Sequence, residues 1–89
     1  MNEIERIVYG NGKTMQLIVA IEELAELQKE LTKSLRGQEN IDHIEEEMAD
    51  VLLIIDELSY IFRITQDSLL DRVQAKIDRT LERMTDEHK

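Results

Sequence analysis

No proline occurs anywhere in the 89 residues, and the three glycines stand at positions 10, 12 and 37. Proline is the residue a helix interior tolerates least, and glycine the next. From Lys13 to Arg36, and again from Gln38 onward, nothing in the chain therefore forces the backbone out of a helix. The expected fold is all-α, with three long helices in a single domain over residues 1–89. The first nine residues allow a short helix of their own, broken by Gly10 and Gly12. The first long helix spans about Lys13–Arg36 and stops at Gly37, a residue suited to the left-handed position after a helix. The second starts near Asn40, a good N-cap, with Asp42, Glu45 and Glu46 in its first two turns near the positive end of the dipole. It runs to Arg63 or Ile64. Thr65 caps the third, which runs to about Thr85, and His88 and Lys89 read as a frayed end.

Three rods with one Phe, two Tyr and no Trp make a thin core. A chain this small needs burial from elsewhere, so a homo-oligomer is expected, a dimer or a tetramer, with facing helices completing a four-helix bundle. Leu17 to Ile21 are apolar around the whole helix circumference, the pattern of a buried helix.

Other classes fall away. There is no cysteine, which excludes disulfides, thiolate metal sites and a cysteine nucleophile. The longest apolar runs, Leu17–Ile21 and Val51–Ile55, are far short of the roughly 20 residues that cross a bilayer. The start MNEIERIVYG lacks the basic and apolar segments of a signal peptide, so a soluble cytoplasmic protein is expected. Twenty acidic against 11 basic side chains give a formal charge of −9, which repels nucleic-acid backbones and anionic lipid.

The apolar pattern is interrupted in one informative place. Ile44, Glu47, Val51, Ile54, Leu58 and Ile61 follow the spacing of a bundle-facing seam, and one of the six is a glutamate. A carboxylate there is costly unless a cation or strong donors compensate. A lysine or arginine of another helix would serve. Asp50 projects from the edge of the same face, one turn on. On the preceding helix Glu23 and Glu26 are likewise three residues apart, so their carboxylates can converge. Antiparallel packing through the Gly37 turn would bring the two acidic pairs level. Four carboxylates together repel one another without a divalent ion, and oxygen ligands without His or Cys favour Mg²⁺ or Mn²⁺. The alternative is that these acids decorate solvated faces.

The third long helix carries the opposite charge. Arg72, Lys76, Arg79 and Arg83 share one face, beside a packing face of Leu70, Val73, Ile77, Leu81 and Met84. They read either as a solvated face or as a cationic wall beside the acids, able to hold phosphate oxygens. Two apparent motifs fail on their spacing. Gly12-Lys13-Thr14 lacks the earlier glycine of a P-loop, since Ile7 stands there. A di-iron carboxylate bundle needs Glu-x-x-His, and Asn40 precedes His43 at that interval.

Glu22-Glu23-Leu24-Ala25-Glu26, followed after 20 residues by Glu47-Met48-Ala49-Asp50, resembles the EExxE…ExxD signature of MazG-like nucleoside triphosphate pyrophosphohydrolases. The resemblance runs from about Met15 to Met84. It implies Mg²⁺-dependent cleavage of a nucleoside triphosphate between the α- and β-phosphates, giving a monophosphate and pyrophosphate. It also implies metal ligation by Glu23, Glu26, Glu47 and Asp50, with Glu22 as the leading glutamate of the catalytic signature. Lys76 and Arg83 match the family's phosphate-contacting lysine and arginine, with Arg79 beside them. Thr80 stands where an asparagine is expected. Gln16, six residues before Glu22, resembles a glutamine that faces the nucleotide. Phosphoribosyl-ATP pyrophosphohydrolase, in the same superfamily, fits less well. That group has a lysine shortly before its paired glutamates and a Tyr-His after its aspartate, whereas Val19–Ile21 and Val51–Ile55 stand here. A non-catalytic helical dimerisation module is the alternative from another class.

Overall fold

A computed structural model of the chain describes residues 1–87. Its described residues form four helices and no strand: α1 (Glu3–Asn11), α2 (Lys13–Leu35), α3 (Ile41–Phe62) and α4 (Gln66–Glu87). His88 and Lys89, expected as a frayed end, lie outside the described residues.

Helix α1 begins where the Asn2 side chain accepts a hydrogen bond from the Glu5 amide at 2.8 Å. Gly10 does not break it, since a single glycine costs a helix only about 1 kcal/mol. The break falls at Gly12, whose φ of +83° closes α1 and opens α2. Gly37, at φ +88°, follows the end of α2 as its position suggested. At the far end of α3 the left-handed position is held by Arg63 at φ 56°, after which Thr65 Oγ1 accepts from the Ser68 amide and starts α4.

Helices α2 and α3 form an antiparallel hairpin, and α1 packs across both. The seam reads as expected: Ile54 is buried, and Ile44, Glu47, Val51, Leu58 and Ile61 are half-buried. Val8 and Ala20 complete the small buried apolar core. The Lys13 ammonium lies 5.4 Å above the Phe62 ring, joining the start of α2 to the end of α3. Tyr9 and Tyr60 meet edge to face at 6.3 Å. Tyr9 hydrogen-bonds the Tyr60 hydroxyl, which is pushed up to about 12.

Asn40 occupies the N-cap position of α3 without capping it. Its Nδ2 instead donates back across the turn, to the Glu30 carbonyl at 2.9 Å and to Glu30 Oε2 at 2.5 Å. Lys33 Nζ adds a 3.1 Å ion pair to the other carboxylate oxygen. These partners hold the buried Glu30 carboxyl below its ordinary value, the Asn40 hydrogen bond first.

Helix α4 stands clear of this assembly, with no extensive packing on the other three helices. The radius of gyration is 16.5 Å, against about 12 Å for a compact chain of this length. The packing face Leu70, Val73, Ile77, Leu81 and Met84 is accordingly 44–57% exposed. The all-round apolar stretch of α2 is also only partly covered. Ala20 is buried and Leu17 and Val19 half-buried, but Ile18 and Ile21 face outward. The expectation that this stretch is buried on every side does not hold within one chain, because α1 and α3 cover only one flank.

Candidate metal centre and adjoining cavity

The hairpin brings the acidic pairs level. Carboxylate oxygens of Glu23, Glu47 and Asp50 all lie within 4.8 Å of one another. Glu23 and Glu47 are half-buried and Asp50 is exposed at the rim. Glu26, expected as a fourth member, is exposed one turn away and stands outside this trio. Its charge still acts on the cluster, raising both Glu23 and Glu47. Glu22 lies on the exposed side of α2.

Burial is the largest cause pushing Glu23 above the ordinary carboxylate range. A hydrogen bond with Asp50 follows, then the charges of Asp50, Glu47 and Glu26. Glu47 is raised first by burial and then by Asp50, Glu26, Glu30 and Glu46. Glu47 Oε2 is buried and has no hydrogen-bond partner among the described residues. A lysine or arginine partner would pull these groups down, and none does. Three carboxylates that converge in this way, one of them carrying an unpartnered oxygen, could hold a hard divalent cation.

A cavity of about 180 Å³ adjoins the cluster, with Glu23 and Asp50 in its wall. Ile7, Val19, Leu53 and Ile54 form its apolar sides, and Asn11, Gln16 and Glu57 its polar end. Gln16 is 1% exposed and Glu57 2%. Asn11 Nδ2 donates to Gln16 Oε1 at 2.9 Å, and Gln16 Nε2 in turn donates to Glu57 Oε2. Burial, then the neighbouring Asp56, pushes the Glu57 carboxyl up.

The structure thus puts Gln16, Glu23, Glu47 and Asp50 around one region. It does not bring Lys76, Arg79 or Arg83 there. The expected cationic wall is absent within a single chain, because α4 leaves the hairpin after Arg63. Glu57 and Asn11 were not singled out by the sequence. The signal for Glu57 was spacing: Gln16 lies seven residues before Glu23 and Glu57 seven after Asp50, two turns along the same faces. Compared with protein-family models, curated proteins and solved structures, the chain finds no match. No helix among the described residues is long and apolar enough to cross a membrane.

Proposed function

We propose that the chain is a Mg²⁺-dependent nucleoside triphosphate pyrophosphohydrolase of the MazG-like kind, with Mn²⁺ as an alternative ion. The observation that carries this reading is the trio Glu23, Glu47 and Asp50, with the buried and unpartnered Glu47 Oε2. These three residues, with Glu26 beside them, would hold the metal. Bound there, the ion would neutralise the polyphosphate and lower the pKa of a water. Water adds to the α-phosphorus, the bond to the bridging oxygen breaks, and pyrophosphate leaves. A carboxylate of the cluster accepts the water's proton.

The cations would come from assembly. Helices in proteins owe most of their stability to packing an apolar face, and α4, without extensive packing on the other helices, exposes five apolar side chains on one face. A second copy seated on that face would cover it and could bring Lys76, Arg79 and Arg83 towards a neighbouring cluster. A homo-oligomer therefore belongs to this reading. The test is pyrophosphate release from a panel of nucleoside triphosphates, phosphoribosyl-ATP included, with and without Mg²⁺. Metal-dependent release is expected. If no nucleotide is cleaved and Mg²⁺ leaves thermal stability unchanged, the chain is a helical dimerisation module and the enzyme reading is lost.

A further inference from the structure

Glu57 is hard to account for as packing alone. It is 2% exposed, and the charges acting on it include no cation, only Asp56. A buried carboxylate without a cationic partner costs several kcal/mol. Gln16 satisfies one of its oxygens. A carboxylate has about four acceptor sites, so most of its capacity is unused while its side chain lines the cavity.

The cavity has a direction. Glu23 and Asp50 mark the end where the metal trio sits, and Gln16 and Glu57 the other. Seven helical residues separate these ends on each helix, about 10 Å at 1.5 Å per residue. Phosphates held at the trio would leave the rest of the nucleotide to run along the cavity. The sides are aliphatic (Ile7, Val19, Leu53 and Ile54), which suits the flat face of a base better than a hydroxyl-rich sugar. The polar end then meets the base edge.

We propose that Glu57 is a specificity-determining residue, its carboxylate accepting a hydrogen bond from an exocyclic amino group of the nucleobase. The inference rests on the nucleotide reading above and deepens it by naming the substrate class. Asn11 and Gln16 are positioning residues: the chain of amides commits Gln16 Nε2 to Glu57 Oε2 and fixes which way the carboxylate faces. Cytosine and adenine offer an amino group where uracil and hypoxanthine carry a carbonyl oxygen. A carbonyl facing a carboxylate pairs two acceptors, and a site built on buried polar groups rejects such a mismatch strongly.

The test uses base pairs of nucleotides that differ only at that position. Isothermal titration with CMP against UMP, and AMP against IMP, reads the cavity; pyrophosphate release from the four triphosphates with Mg²⁺ reads the reaction. The amino member of each pair is expected to bind about tenfold tighter or better. Glu57→Gln, whose amide both donates and accepts, should bring each pair to within about twofold. Equal binding within the pairs by the wild-type protein overturns the proposal, even where the variant fails to fold. So does an amino preference that survives in a folded Glu57→Gln protein, since the carboxylate would then only pin α2 to α3. Amino-selective binding without pyrophosphate release keeps the role of Glu57 and refutes the pyrophosphohydrolase reading instead.

Discussion

Replacing Ile77 by aspartate should take the assembly apart. Five side chains of α4, Leu70, Val73, Ile77, Leu81 and Met84, are about half exposed. Full burial of such a side chain is worth about 1.5–3 kcal/mol, so completing it yields about 1 kcal/mol each. One α4 stripe supplies about 5 kcal/mol, and two in a symmetric pair about 10. Association itself costs about 4–15 kcal/mol, so α4 needs counterpart surface such as the outward Ile18, Ile21 and Leu24 of α2. Ile77→Asp removes about 1 kcal/mol per copy and leaves a carboxylate facing the interface, at a further few kcal/mol. A loss of at least about 4 kcal/mol weakens dimerisation roughly a thousandfold. Sedimentation equilibrium measures this directly, and the Tm of the wild-type protein should rise over roughly a hundredfold increase in concentration. Ala75→Asp, on the opposite side of α4, is the control and should leave assembly intact. A wild-type chain that stays monomeric with α4 fully helical would refute the reasoning, as would an Ile77→Asp protein that assembles normally.

Glu47→Gln should abolish Mg²⁺-dependent pyrophosphate release while leaving the metal-free Tm unchanged or raised, since it removes one charge from a self-repelling trio. A marked fall in that Tm would point to a structural ion pair. Glu23 and Glu47 bind protons more tightly folded than unfolded, so metal-free stability should fall as pH rises through their raised values and return when Mg²⁺ is added. Glu30 acts oppositely: its lowered pKa contributes stability above the ordinary carboxylate range that is lost as pH falls through the lowered value. Thermal melts in chelator across pH should therefore peak between the two windows; a flat profile would contradict both. Gly37→Ala, at φ +88°, should cost about 1–2 kcal/mol in chemical denaturation, because only glycine adopts that conformation freely.

The helices were legible because their signals are local. Gly12 and Gly37, the Thr65 cap and the Ile44–Ile61 seam each depend on a few neighbouring residues and appear where those residues put them, whereas Gly10 alone was too weak a signal to break α1. The level placement of Glu23, Glu47 and Asp50 was also readable, since two three-residue spacings on helices joined by a short turn leave little freedom. Three features were not. Asn40 has the chemistry of an N-cap, but its Nδ2 donates to Glu30, ten residues earlier, and the side chain so held leaves Oδ1 buried and off the amides it would cap. Glu57 sits beside the seam residue Leu58, and only the packed hairpin shows that it is buried against Gln16. The exposed face of α4 carries the same periodicity as a packed one, because periodicity reports that a face is apolar and not what covers it.

The Asn40–Glu30 clasp has a consequence at a distance. Facing helices can shift along each other in steps of one turn, 5.4 Å, and still interleave their side chains. The oxygens of Glu23, Glu47 and Asp50 gather within 4.8 Å, so a slip of one step would scatter them and would part Gln16 from Glu57 as well. Asn40 holds both the carbonyl and the carboxylate of one residue, which fixes the phase of α3 against α2 near the turn. The clasp is the zero mark of a ruler whose readings are taken at the trio and, two turns farther on, at the cavity's polar end.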